Sequence, residues 1–194
     1  MSVMMDYIMS AIIFGVLAII VARIQINISS TLYDNTFNLQ VQGNAVALAM
    51  QVEKDFLKMG FKVDPTSGNQ ITLADTTRVT FNSDWLNDGS IVSVSYRAGD
   101  STEASSTLNV HDFPLYRDGF KQNWGLTHFQ IAYYDSSLTK LSTPVSAANR
   151  LKIKAIQVWF TIQSPEPVIS NIDTTWPAVT WQKMMYPRNL NNFL

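Results

Sequence analysis

Residues 37–61 read FNLQVQGNAVALAMQVEKDFLKMGF. Apolar side chains recur at Phe37, Val41, Ala45, Leu48, Val52, Phe56 and Met59, in steps of 4, 4, 3, 4, 4 and 3. That is the period of an α-helix, and it draws a single stripe along it. Gln40, Gln42, Asn44, Gln51, Lys54 and Lys58 fall on the other side. Gly60 followed by Phe61 reads as a C-terminal cap with a hydrophobic residue just past it. A stripe of this kind must be covered, so the helix is expected to lie on another layer. Phe37, Val41, Leu48, Val52 and Phe56 are the residues expected to make that contact.

Upstream the pattern changes. Tyr7 to Val21 reads YIMSAIIFGVLAIIV, and no charge lies between Asp6 and Arg23, a run of 16 residues. At 1.5 Å per residue the run spans about 24 Å, and adding Met4, Met5 and Ile24 to Ile28 brings it to the ~30 Å of a hydrocarbon core. A signal peptide would need a basic start, and no Lys or Arg precedes Arg23. A buried core helix is the other alternative, but a helix apolar all round at the N-terminus has little core to enter. The linking stretch NISSTLYDNTFN (Asn27–Asn38) is rich in weak helix formers. It is read as helical, kinked or locally unwound. A single helix from Val3 to Met59 would be roughly 85 Å long.

Downstream of Gly60 the period becomes 2. Val79 and Phe81, then Ile91, Val92, Val94 and Tyr96, alternate with polar residues, with a turn at Asp88-Gly89 between them. Further strands are predicted at Leu108–Val110, Pro114–Arg117, Leu126–Tyr134, Leu151–Ile162 and Trp176–Tyr186. Ser164-Pro165-Glu166-Pro167 ends the longest of them. The predicted class is α+β: a long N-terminal helix packed on an antiparallel sheet. Its divisions are a membrane or filament-core half (1–28), an amphipathic half (29–60) and a β-rich domain (61–194).

Composition agrees with this division. Charged residues are 15% of the 194, where an ordinary soluble domain has roughly 25%. Only Asp6, Arg23 and Asp34 carry charge before Glu53, and all seven prolines lie at or after Pro65. A net charge of −1 argues against a dedicated nucleic-acid binder, which needs a basic stripe to replace phosphate counterions. Zero cysteines exclude a disulfide scaffold, a thiolate zinc site and a thiol nucleophile.

These features resemble type IV filament subunits, the pilins and pseudopilins. If Met1 is discounted, Asp6 is fifth and Gly15 lies nine residues beyond it, as the family's acidic residue and glycine do. Ile12-Ile13-Phe14-Gly15-Val16-Leu17-Ala18 is similar to the family's apolar run. Val52-Glu53-Lys54-Asp55-Phe56-Leu57-Lys58-Met59-Gly60-Phe61 resembles the helix end of larger minor pilins and of the J-type minor pseudopilin. Leu115-Tyr116-Arg117, a Tyr-Tyr-Asp strand end and a final long strand follow in the family's order. The chain departs from the pattern at Ser2, where an aromatic belongs, in having Asp for Glu, and in lacking a basic leader. Arg23, lying after the span, gives the positive-inside count the opposite sign.

The resemblance implies a non-enzymatic structural subunit without cofactor. The subunit is held in the inner membrane by its first helix and then assembled with other pilin-like subunits into a periplasmic or extracellular filament. Ser2, Asp6 and Gly15 are its implied assembly residues. Asp6 would be costly unpaired in an apolar filament core, and a neighbour's N-terminal amine is its natural partner. Gly15 lowers helix propensity by about 1 kcal/mol against Ala, which permits local unwinding. The competing expectation is a single-pass anchored binding module that never polymerises.

Other candidates are weaker. Asp84, Asn87 and Asp88 around Gly89 offer calcium oxygens but no full EF-hand spacing, and an ordinary turn is expected. His111-Asp112 and His128 are the only histidine positions, and no metal set is expected from them. Lys152 and Lys154 read as the solvated face of a strand. Trp176, Trp181 and Tyr186 form either a contact surface or ordinary sheet packing. No nucleophile–base constellation, Walker motif or dinucleotide glycine pattern occurs.

Overall fold

The computed structural model of the protein describes residues 2–64, 66, 68–104, 107–169 and 174–190, with Ser2 as backbone only. One helix, α1 (Ser2–Leu57), takes up 56 residues. At 1.5 Å per residue it is about 84 Å long. The weak helix formers between Asn27 and Asn38 do not interrupt it. Ser30 and Thr31 hydroxyls donate to the Asn27 carbonyl at 3.2 and 2.9 Å, Thr36 to Leu32 at 2.8 Å, and the Asn38 amide to Asp34 at 2.8 Å. Short polar side chains thus bond back to their own helix instead of competing with it.

The strands are β1 (Ile71–Ala74), β2 (Arg78–Ser83), β3 (Val92–Ala98), β4 (Phe113–Arg117), β5 (Phe120–Tyr134), β6 (Ala155–Gln163), β7 (Val168–Ile169), β8 (Thr174–Thr175) and β9 (Ala178–Met185). Seven of them form an antiparallel sheet in the order β1-β2-β3-β4-β5-β6-β9. Strands β7 and β8 pair antiparallel in a separate two-stranded sheet. The class is α+β, with a long N-terminal helix on an antiparallel sheet.

Several predicted strand bounds are corrected. Leu108–Val110 is loop, since three residues offer too little ladder to hold a strand. Leu151 to Lys154 form the turn after a short helix, α2 (Ala147–Arg150), so Lys152 and Lys154 do not alternate on a strand. Ile91 lies before β3 and is exposed. Strand β1 was not predicted from the pattern, and β5 begins six residues before Leu126. The stretch from Trp176 is a strand only from Ala178 to Met185.

One face of the sheet covers the C-terminal part of α1. Val41, Ala45, Leu48, Val52, Phe56 and Met59 are at most 4% exposed and share a core with Val79, Phe81, Tyr96, Leu115, Ile131, Val158 and Phe160. The Phe56 ring meets Phe81 and Tyr96 edge-on, with centroids 6.0 and 5.4 Å apart. Such pairs contribute about 0.5–1.5 kcal/mol beyond their buried area. Phe37 is the exception to the stripe. It is half-buried outside this core and lines a cleft with Glu166, Pro167, Val168 and Ile169. At that turn α1 meets the segment around β7, not the seven-stranded sheet.

The helix ends at Leu57, and Lys58 and Met59 turn into a left-handed Gly60 with φ +71°, whose N–H donates to the Asn82 carbonyl at 3.0 Å. A Cβ there would meet the Gln70 amide at 3.0 Å. Gln70 in turn donates to the Asn189 carbonyl at 2.9 Å, and the Asn189 amide to the Met59 carbonyl at 3.4 Å. Asn189 therefore ties the segment before residue 191 to the end of α1.

Candidate functional site

The part of α1 before Val41 and the part from Val41 to Leu57 live in different surroundings. Val3, Ile8, Ile12, Phe14, Leu17 and Ile20 are each about half exposed or more (48–74%). This helix is long and apolar enough to cross a membrane, and none of its most apolar 18-residue window is buried in the rest of the chain. The buried-core alternative is thereby excluded for this segment. An uncovered apolar surface of this size marks a place where lipid or other protein belongs.

Asp6 lies on this exposed helix with no ion pair or hydrogen bond among the described residues. Gly15 has nothing within 4 Å of where its Cβ would sit, and α1 runs through it unbroken. Among the described residues no close approach requires a glycine there. The side chain of Ser2 lies outside the described residues.

At the other end α1 is locked to the sheet by a residue that the stripe analysis missed. Asp55 is 1% exposed. Its Oδ2 accepts the Tyr96 hydroxyl at 2.6 Å and Arg117 Nε at 2.7 Å, and its Oδ1 accepts Trp85 Nε1 at 2.9 Å. Burial, then the Asp55 charge, raises the Tyr96 phenol well above its ordinary value. Tyr96 therefore stays a donor at every relevant pH. For Arg117, burial works against the charge, but the bond and charge of Asp55 outweigh it and raise its pKa. Lys54 stacks on the Trp85 ring 4.4 Å from its centroid, and Lys58 Nζ donates to the Trp85 carbonyl at 2.9 Å. Gln51 reaches Gln122 Oε1 at 3.0 Å. So Gln51 and Lys58, expected on the side away from the apolar stripe, flank the contact and bond into the domain.

The signal for Asp55 was present in its position. It stands three residues after Val52 and four before Met59, inside the apolar stripe. A carboxylate there must be paired, because burying it alone would be prohibitive.

Asp84, His128, Trp181 and Lys154 find structural roles. Asp84 is fully buried and accepts Lys62 Nζ at 2.8 Å and the Asp88 and Gly89 amides at 3.0 Å each. Its carboxylate thus holds the turn together, and the Lys62 bond lowers its pKa. His128 packs against Trp159, and no group of three or more metal-ligating acids or histidines occurs among the described residues. Trp181 stacks on Phe160 at 5.0 Å, which assigns it to sheet packing, while Tyr186 is 51% exposed. Lys154 Nζ donates to the Leu190 carbonyl.

No family model, curated protein or solved structure matches this chain.

Proposed function

We propose that the chain is a non-enzymatic structural subunit of a type IV pilus-like filament, a minor pilin or pseudopilin. Its N-terminal helix is held in the inner membrane and then transferred into a filament core made of similar helices. The observation that carries this reading is the continuity of α1. One unbroken helix is apolar and uncovered at one end and built into the domain core at the other. A simple tether needs only an anchor and a flexible linker. A subunit that must present its domain at a fixed angle needs the anchor and the core to be one rigid body.

Two further features support it. The uncovered half needs a surroundings as apolar as lipid, and a bundle of like helices supplies that. Asp6 would then find its countercharge in a neighbour's N-terminal amine, an interaction that sets register, because an unpaired carboxylate at that depth is expensive.

The test is Asp6→Ala in the full chain in its own cell. Membrane insertion should persist, and the variant should disappear from the sheared filament fraction. Unchanged incorporation of Asp6→Ala would remove the register role. Recovery of the wild-type chain only from membranes would favour the anchored binding module.

A further inference from the structure

The face of the sheet turned away from α1 carries a site that the filament reading does not use. Strands β5, β6 and β9 pair there in register: Gln130 opposite Trp159, and Trp159 opposite Gln182. The next row is Ala132, Gln157 and Met184. The alternation that buries Val158 and Phe160 beneath turns Gln157, Trp159 and Thr161 outward.

These residues bound a depression of about 210 Å³ lined by Gln130, Ala132, Lys140, Gln157, Trp159 and Gln182. Ala132 forms a low point because its side chain is small. Trp159 is 40% exposed, a large apolar group left open in a row of amides. The His128 ring packs against the indole, with centroids 4.3 Å apart, and holds it in place. Gln157 Oε1 accepts the Tyr134 hydroxyl at 2.8 Å, which orients that amide and leaves its NH₂ available. The side-chain amides of Gln130 and Gln182 have no hydrogen-bond partner among the described residues. The depression thus combines one aromatic platform with three amides, each able to donate and accept. Lys140 is its only charged lining residue.

We infer that this depression binds a neutral hexose unit of a saccharide. A pyranose presents C–H groups on one face and hydroxyls around its edge. The C–H face suits the electron-rich face of the indole. Hydroxyls, which both donate and accept, suit glutamine amides better than any fixed charge. An anion would call for several converging cations, and a purely apolar ligand would strand the amides unpaired. The site is independent of whether the chain polymerises, since it uses neither α1 nor Asp6.

The experiment is calorimetric titration of the full chain in lauryldimethylamine oxide micelles, a detergent without a sugar headgroup. The probes are cellohexaose, maltohexaose, mannohexaose, xylohexaose and a polygalacturonate oligomer. At least one neutral hexose oligomer should bind. Trp159→Ala should weaken it about tenfold or more. Gln182→Ala, a milder change on an exposed side chain, should weaken it about fivefold. Both variants should remain folded, Gln182→Ala with the wild-type melting temperature and Trp159→Ala with one lowered by the lost His128 contact, and Lys140→Ala should bind nearly as the parent does. Failure of every hexose oligomer to bind would overturn the inference. So would binding untouched by Trp159→Ala, binding of xylohexaose or polygalacturonate alone, or a Trp159→Ala effect on oligomeric mass with no response to sugar.

Discussion

The Asp55 carboxylate accepts the Tyr96 hydroxyl at 2.6 Å across 41 residues of sequence, and this bond fixes the long helix on its sheet. Arg117 and Trp85 close on the same carboxylate. A buried ion pair is weak evidence for stability in itself, but breaking one is costly because the partner charge and donors are left unmet. Asp55→Ala is therefore expected to lose about 3 kcal/mol of unfolding free energy in denaturant titration of the full chain. Arg117→Lys should lose less, since it keeps the charge but not the guanidinium geometry. A loss under about 1 kcal/mol for Asp55→Ala would mean that the clamp is not what holds the helix.

The stripe itself makes a graded prediction. Leu48 is fully buried, whereas Leu39, nine residues earlier on the same helix, is 69% exposed. Leu48→Ala should cost about 3 kcal/mol, the transfer and cavity terms together, and Leu39→Ala under about 0.5 kcal/mol. Urea unfolding of both variants separates them, and equal losses would contradict the packing described.

Gly125 tests the sheet. It has φ +77°, and a Cβ there would come within 2.5 Å of the Gln163 carbonyl oxygen on the neighbouring strand. It sits beside the register shift between Leu126 and His128 in β5. Gly125→Ala should destabilise by about 1–3 kcal/mol from the backbone conformation, with the clash added. A melting temperature equal to wild type would show that the strands can part there freely.

Glu103 gives a pH signature. Arg97 grips its carboxylate with two N–H bonds of 3.1 Å, and the Asp100 amide adds a third at 3.2 Å. The Arg97 bonds first, then Tyr116, lower its pKa from 4.5 to about 2. Because the folded value lies below the unfolded one, the stabilisation is fully present above 4.5 and is lost as pH falls towards 2. Carboxyl titration by NMR should show this midpoint, and Arg97→Ala should return it towards 4.5. A midpoint that stays put in Arg97→Ala would assign the shift elsewhere.

How much of this was legible beforehand varies with the range of the interaction. Val41, Leu48, Val52 and Phe56 are read directly from helical spacing, because period is a local property and no proline interrupts it. Phe37 obeys the same spacing, yet what covers it depends on where the sheet stops, which local sequence does not encode. Asp55 was visible as a carboxylate on an apolar stripe, but its partners come from β3, β4 and the loop between β2 and β3. The row of Gln130, Trp159 and Gln182 exists only once three strands are in register. Lys152 and Lys154 mimic strand alternation over too short a stretch to distinguish it from a turn.

The most direct measurement asks what covers the exposed half of α1. Phe14 is 74% exposed there. A photoreactive phenylalanine analogue at this position, in the full chain in its own cell, should crosslink to N-terminal helices of other subunits in the sheared filament fraction. Mass spectrometry of the adducts identifies the partner. Adducts to lipid alone, with no protein partner in any fraction, would contradict a polymerising subunit and leave an anchored domain.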